Sequence, residues 1–85
     1  MKEPLINLYV GNLSPETTDY DLEDAFGKFG KVSVARVNID RQTGRSRGFG
    51  FVDMPLKEES DAAILGMNGK EFKGRTLTVN EARSR

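Results

Sequence analysis

With 85 residues, thirteen basic and thirteen acidic side chains and no formal net charge, the chain can build one domain around one modest core, and it lacks the basic excess that phosphate binding usually leaves. It contains neither cysteine nor histidine, which excludes disulfides and thiolate chemistry and removes the commonest metal ligand and the usual general base at neutral pH; an intracellular binding domain fits better than a metalloenzyme, and no cofactor is expected. Met1-Lys2-Glu3-Pro4 has no apolar signal core and no later apolar run approaches the roughly 18 residues of a membrane span, so a soluble, non-exported chain without a membrane partner is expected.

Ile6, Leu8 and Val10 alternate with Asn7, Tyr9 and Gly11, the period of a strand with one apolar face, and Tyr9 falls on the opposite face. After the turn residues Asn12-Leu13-Ser14-Pro15, Thr18 has the chemistry of an N-cap, with Asp21 at the third helical position. Leu22, Ala25, Phe26 and Phe29 recur at helical spacing and Gly30 follows, so the first helix is predicted from Asp19 to Phe29. Val32 to Ile39 is mostly β-branched or apolar and reads as a second strand, with Ala35, Val37 and Ile39 inward and Val34, Arg36 and Asn38 outward. Asp40 to Ser46 has turn chemistry and predicts a long-looped hairpin into a third strand, which Pro55 ends. A second helix is predicted over Lys57 to Met67, with Ser60, Ala63, Ile64 and Met67 on one stripe and Asn68-Gly69 closing it. Thr76 to Ala82 reads as the last strand, Leu77 and Val79 alternating against Thr78 and Asn80.

The order strand, helix, strand, strand, helix, strand predicts an α+β fold: a ferredoxin-like βαββαβ two-layer sandwich, with a four-stranded antiparallel sheet and two helices on one face. The whole chain, 1–85, is one domain in this reading. The other sheet face has no helix to cover it, and the first and third strands become central neighbours. The charges that cancel in sum are sorted along the chain. Glu16, Asp19, Asp21, Glu23 and Asp24 have no base among them, whereas Arg36, Arg41, Arg45 and Arg47 face only Asp40.

The run Arg47-Gly48-Phe49-Gly50-Phe51-Val52-Asp53-Met54 carries the function. Alternation puts Phe49, Phe51 and Asp53 on one face and Gly50, Val52 and Met54 on the other. Burying the rings would bury Asp53 with them and turn Val52 and Met54 to water, so the rings belong on the open face, beside Tyr9. Exposed rings between glycines make a stacking platform, and base–aromatic stacking is worth about 1–3 kcal/mol per base. Arg47-Gly48-Phe49-Gly50-Phe51-Val52-Asp53-Met54 resembles the longer ribonucleoprotein signature of the RNA-recognition motif, and Leu8-Tyr9-Val10-Gly11-Asn12-Leu13 resembles the shorter one. Gly30-Lys31-Val32, the Asp40–Gly44 loop and Met67-Asn68-Gly69 fall where that family has them. The chain is similar both to small bacterial members and to the domain that heads glycine-rich, cold-inducible RNA-binding proteins. Two positions depart from the pattern: Met54 stands where an aromatic is preferred, and Ser60 where many members have alanine. Both belong to packing.

The resemblance implies non-catalytic binding of single-stranded RNA by a monomer, with single-stranded DNA as the alternative and no small-molecule substrate. Tyr9, Phe49 and Phe51 would stack bases and Arg47 would reach a phosphate between them. Arg36, Asn38, Asn7 and Asn80 lie on the open face by alternation, where amides and guanidinium groups can read base edges; Arg83 follows the last strand, where members often add contacts. The compartment implied is the cytoplasm for a bacterial protein, nucleus or cytoplasm for a eukaryotic one. A protein-interaction module on the same fold would usually lose the exposed rings or cover them. A small ferredoxin-like phosphatase would want an arginine in the loop after the first strand, and Gly11-Asn12-Leu13-Ser14-Pro15 has none.

Overall fold

The computed structural model describes residues 5–82. β1 (Ile6–Gly11) buries Leu8 and Val10 completely. α1 (Asp19–Gly27) starts at Thr18 with a reciprocal cap: the Thr18 hydroxyl accepts from the Asp21 N–H at 3.2 Å, and the Asp21 carboxylate accepts from the Thr18 N–H at 3.0 Å. That backbone donor, helped by the Thr18 hydroxyl and Lys73, holds the Asp21 carboxyl below its ordinary range. The cap is therefore at full strength above the unfolded carboxyl's pKa and fades as pH falls through the lowered folded value. Asp19 reaches outward instead and accepts from the Val37 N–H at 2.7 Å.

The helix ends two residues earlier than its spacing predicts. The Phe29 N–H bonds back to the Phe26 carbonyl at 3.0 Å, an i→i−3 tightening that turns the chain off the helical path. The chain then meets the second helix, α2 (Lys57–Met67): the Glu59 carboxylate fills the space where a Gly30 side chain would stand and accepts from the Lys31 N–H at 2.8 Å. These contacts use up the segment from which the second strand was expected to start, and β2 begins at Val34 (Val34–Ile39). α2 itself has the predicted bounds. Its stripe is buried at Ser60, Ala63 and Met67, and the Ser60 hydroxyl donates to the Lys57 carbonyl at 2.9 Å, which satisfies the polar atom in the core.

β3 (Ser46–Met54) pairs antiparallel with both β1 and β2. The β2–β3 register runs regularly from Val34↔Asp53 to Val37↔Gly50 and then jumps to Ile39↔Ser46, so β3 carries extra residues in a bulge around Gly48. Ile39, expected inward, is 48% exposed, because the bulge breaks the ladder on which the alternation rested. Gly48 sits at φ 89 with no atom nearer to a built Cβ than the Leu13 carbonyl at 3.9 Å. A side chain there would meet no obstacle, only backbone strain. Gly48→Ala is accordingly expected to cost about 1–2 kcal/mol, read as a lower urea midpoint with an unchanged slope. Gly50 differs in kind: its missing Cβ is where the Arg36 carbonyl approaches, so it lets β2 lie close to β3.

The end of the chain also departs from expectation. Glu71–Phe72 and Arg75–Thr76 form a small separate hairpin, β4 and β5, around Lys73 and Gly74, both with positive φ (52 and 84). Thr76 belongs to that hairpin, and the last strand of the main sheet is β6 (Thr78–Glu81). Asn68, just past α2, accepts from the Val79 N–H at 2.9 Å and ties the helix end to β6. The main sheet has the order β2-β3-β1-β6. Leu8, Val10, Val37, Val52, Met54 and Val79 turn their side chains from the sheet into one core with Leu22, Phe26, Ala63 and Met67 of the helices. The helices therefore share one face, as predicted, and Met54 is wholly buried at the signature position that departs from the aromatic pattern.

Candidate nucleic-acid interface

On the helix-free face, the pairing of β1 with β3 sets Tyr9 opposite Phe51 and Gly11 opposite Phe49. The three rings, each half-buried, form a triangle with every centroid separation 6.0 Å. Tyr9 and Phe49 are inclined by 29°, whereas Phe51 stands at 66° to Tyr9 and 86° to Phe49. These are the offset and edge-on arrangements that aromatic quadrupoles favour, so the rings support one another while their outer surfaces remain available.

A row of paired residues crosses the sheet through this triangle: Arg36 on β2, Phe51 on β3, Tyr9 on β1 and Asn80 on β6. Arg36 and Asn80 are both exposed at its ends. One row away, Asn7 lies opposite Asp53 and donates its amide to the Asp53 carboxylate. That bond ties one amide N–H of Asn7 to one carboxylate oxygen of Asp53. Asn38 is half-buried beside the bulge. Arg47 is exposed, but the bulge separates it from the alternation of Phe49 and Phe51, so its exposure rather than its parity describes its freedom. Among the described residues the ion pairs are Lys57 with Asp61 and Glu81, and Lys73 with Asp21; no arginine takes part. Arg83 lies outside the described residues.

One polar pair at the end of β1 was not singled out from the sequence. Asn12, at φ 60, donates to the Thr76 carbonyl at 2.7 Å and accepts from Arg75 at 3.3 Å. The signal was an asparagine directly after a strand, a residue type that tolerates left-handed backbone. Its partner could not be read, because the β4–β5 hairpin that brings Arg75 there had no recognisable turn sequence.

Residues 8–78 match the family described as RNA recognition motif. The chain belongs to that family. It is 48% identical over 85 residues to a glycine-rich RNA-binding protein of Daucus carota, a match that covers all of this chain and 54% of the relative. It is also 48% identical over 80 residues to RbpE of Nostoc sp., with 94% of this chain and 81% of that protein covered. The chain thus spans about half the length of the plant relative and most of the cyanobacterial one. Among solved structures, the RNA-binding protein PG1 superposes with a TM-score of 0.90 at 46% identity, covering 94% of this chain and 96% of PG1. The Rna15 RNA recognition motif with bound RNA (GU) superposes with a TM-score of 0.84 at 27% identity, covering 95% and 86%. Within this RNA recognition motif, the shorter signature forms β1 and its exit turn, and the longer signature is β3. The two signatures lie side by side because their strands pair.

No helix among the described residues is long and apolar enough to cross a membrane. No group of three His, Cys, Asp or Glu residues among them is placed to hold a metal ion.

Proposed function

We propose that this RNA recognition motif binds single-stranded RNA as a monomer and without catalysis, by laying successive bases on Tyr9, Phe49 and Phe51. The observation that carries the reading is the ring triangle on the sheet face that the helices leave bare. Flat bases gain most from such a surface when they can splay out of their own stack, which a duplex prevents. RNA is preferred to DNA as the ligand because the relatives are named for RNA binding and one solved neighbour has RNA bound.

Arg47 is assigned to the phosphate between stacked nucleotides, a role supported by its exposure and by its having no ion pair among the described residues. Arg36 and Asn80, at the two ends of the row through Phe51 and Tyr9, are assigned to base edges at either side of the stack, with Asn38 beside Arg36 on β2. Asn7 is assigned to a base edge too, with one of its amide N–H groups held by Asp53. Arg83, outside the described residues, is assigned a contact on the family resemblance alone.

The test is a titration of a labelled random-sequence RNA pool, single-stranded and annealed to its complement, at several salt concentrations. Single strands are expected to bind and duplexes to bind far more weakly. With one or two phosphates engaged, log K should fall against log salt with a slope of only about −0.7 to −1.4. Equal affinity for duplex and single strand would sink the stacking reading. A slope near about −3 would shift the main energy onto Arg36, Arg41, Arg45 and Arg47 together.

A further inference from the structure

Tyr9 and Phe49 are not paired residues, yet their rings come as close as those of Tyr9 and its direct partner Phe51, 6.0 Å in each case. Phe49 stands opposite Gly11, the next residue of β1 on the same face as Tyr9. The Tyr9 ring therefore leans along its own strand toward Gly11. A Cβ built on Gly11 would lie 2.6 Å from the Tyr9 hydroxyl oxygen, 2.8 Å from Cε2 and 2.9 Å from Cζ. Real Cβ contacts are not that short, so the outer half of the ring occupies the space that any other residue would fill. Gly11 is buried in consequence.

Gly11 needs no unusual backbone, for its φ is not positive. It is the last residue of a central strand, paired with Phe49 on one side and Thr78 on the other, where glycine has no side chain to pack and loses more conformational freedom on folding than alanine. Backbone geometry and stability therefore give no reason for a glycine here, whereas the ring does. We propose that Gly11 is a positioning residue for RNA binding: its missing side chain lets the Tyr9 ring lie down along β1 and join Phe49 in one stacking surface. The inference rests on the reading of Tyr9, Phe49 and Phe51 as the base platform.

The prediction is a residue that trades stability for binding. Gly11→Ala should keep or raise the thermal midpoint, because alanine suits a strand better, while the Tyr9 ring is pushed off Gly11 and away from Phe49. Affinity for a labelled random-sequence single-stranded RNA pool should fall about tenfold, the loss of one base's stacking. Two further measurements separate positioning from a merely structural role. Without RNA, the ring-current shift that Phe49 imposes on the Tyr9 ring protons should collapse in Gly11→Ala. In a Tyr9→Ala background, Gly11→Ala should cause no further loss of affinity, since the ring it displaces is gone.

Wild-type affinity in Gly11→Ala, with Tyr9→Ala clearly weakened, overturns the proposal alone. So does a Gly11→Ala loss that persists undiminished in the Tyr9→Ala background. Wild-type affinity in Tyr9→Ala overturns the platform reading and this proposal with it, and that failure is recognisable because the ring-proton shift still changes.

Discussion

Phe49→Ala combined with Phe51→Ala is expected to weaken single-stranded RNA binding by roughly a hundredfold or more, while the protein still unfolds as one cooperative unit. Two stacking positions are lost, each worth about 1–3 kcal/mol, and about 1.4 kcal/mol corresponds to a factor of ten. The fold survives because the two rings sit on the opposite side of the sheet from Leu8, Val10, Val52 and Met54, which supply β1 and β3 with their core contacts. What the fold does lose is ring–ring contact on the open face, about 0.5–1.5 kcal/mol per pair. RNA titration of wild type and double variant, with a thermal melt of each, checks both halves. Equal affinity in the two would remove the rings from the mechanism.

Phe26→Ala is expected to do the reverse, costing about 3–5 kcal/mol of stability. Phe26 on α1 is fully buried among the side chains that join the helices to the sheet, and it heads the fully buried side chains by volume. A chain of this length has a total stability of only about 4–13 kcal/mol, at about 0.05–0.15 kcal/mol per residue. Losing this one ring therefore leaves a protein near its unfolding threshold. Urea denaturation should show a sharply lowered midpoint, and the fraction that remains folded should bind RNA with wild-type affinity, since no binding group has been touched. A stability loss below about 1 kcal/mol would contradict the burial of this side chain. The two experiments together ask one question of the aromatic residues: which side of the sheet each serves.

Much of this arrangement was legible in the residues alone. Thr18 with Asp21 marked the start of α1, and the stripe from Ser60 to Met67 marked α2 with its observed bounds. The strand order followed from the sequence of elements, and it brought Tyr9 to Phe49 and Phe51 on one face. The misreadings share a physical cause, which is that local pattern does not report contacts made across the fold. Ile39 continued an alternation that holds only while the ladder is regular, and the bulge on β3 ends it. Lys73 gives no turn signal, because lysine seldom takes positive φ, and so the β4–β5 hairpin is not legible and only its last residue, Thr76, falls within the expected last strand. Asn7 and Asp53 are 46 positions apart, and only the register shows that one occupies the other. Gly50, one of the glycines flanking the rings, owes its missing side chain to a neighbour the local pattern does not show, the Arg36 carbonyl of β2.

The hydrogen bond from the Val37 N–H to Asp19 has a meaning beyond the joining of α1 to β2. β2 is an edge strand, next to β3 on one side only. The exposed ladder of such a strand is a template on which another chain can add a strand and begin a fibril or a swapped dimer. The Asp19 carboxylate takes one rung of that ladder at 2.7 Å and places a negative charge on it, and the jump in register two residues later twists the rest out of line. The first residue of a helix thus occupies part of the β2 edge, which makes that edge of the RNA-facing sheet a poorer template for an added strand.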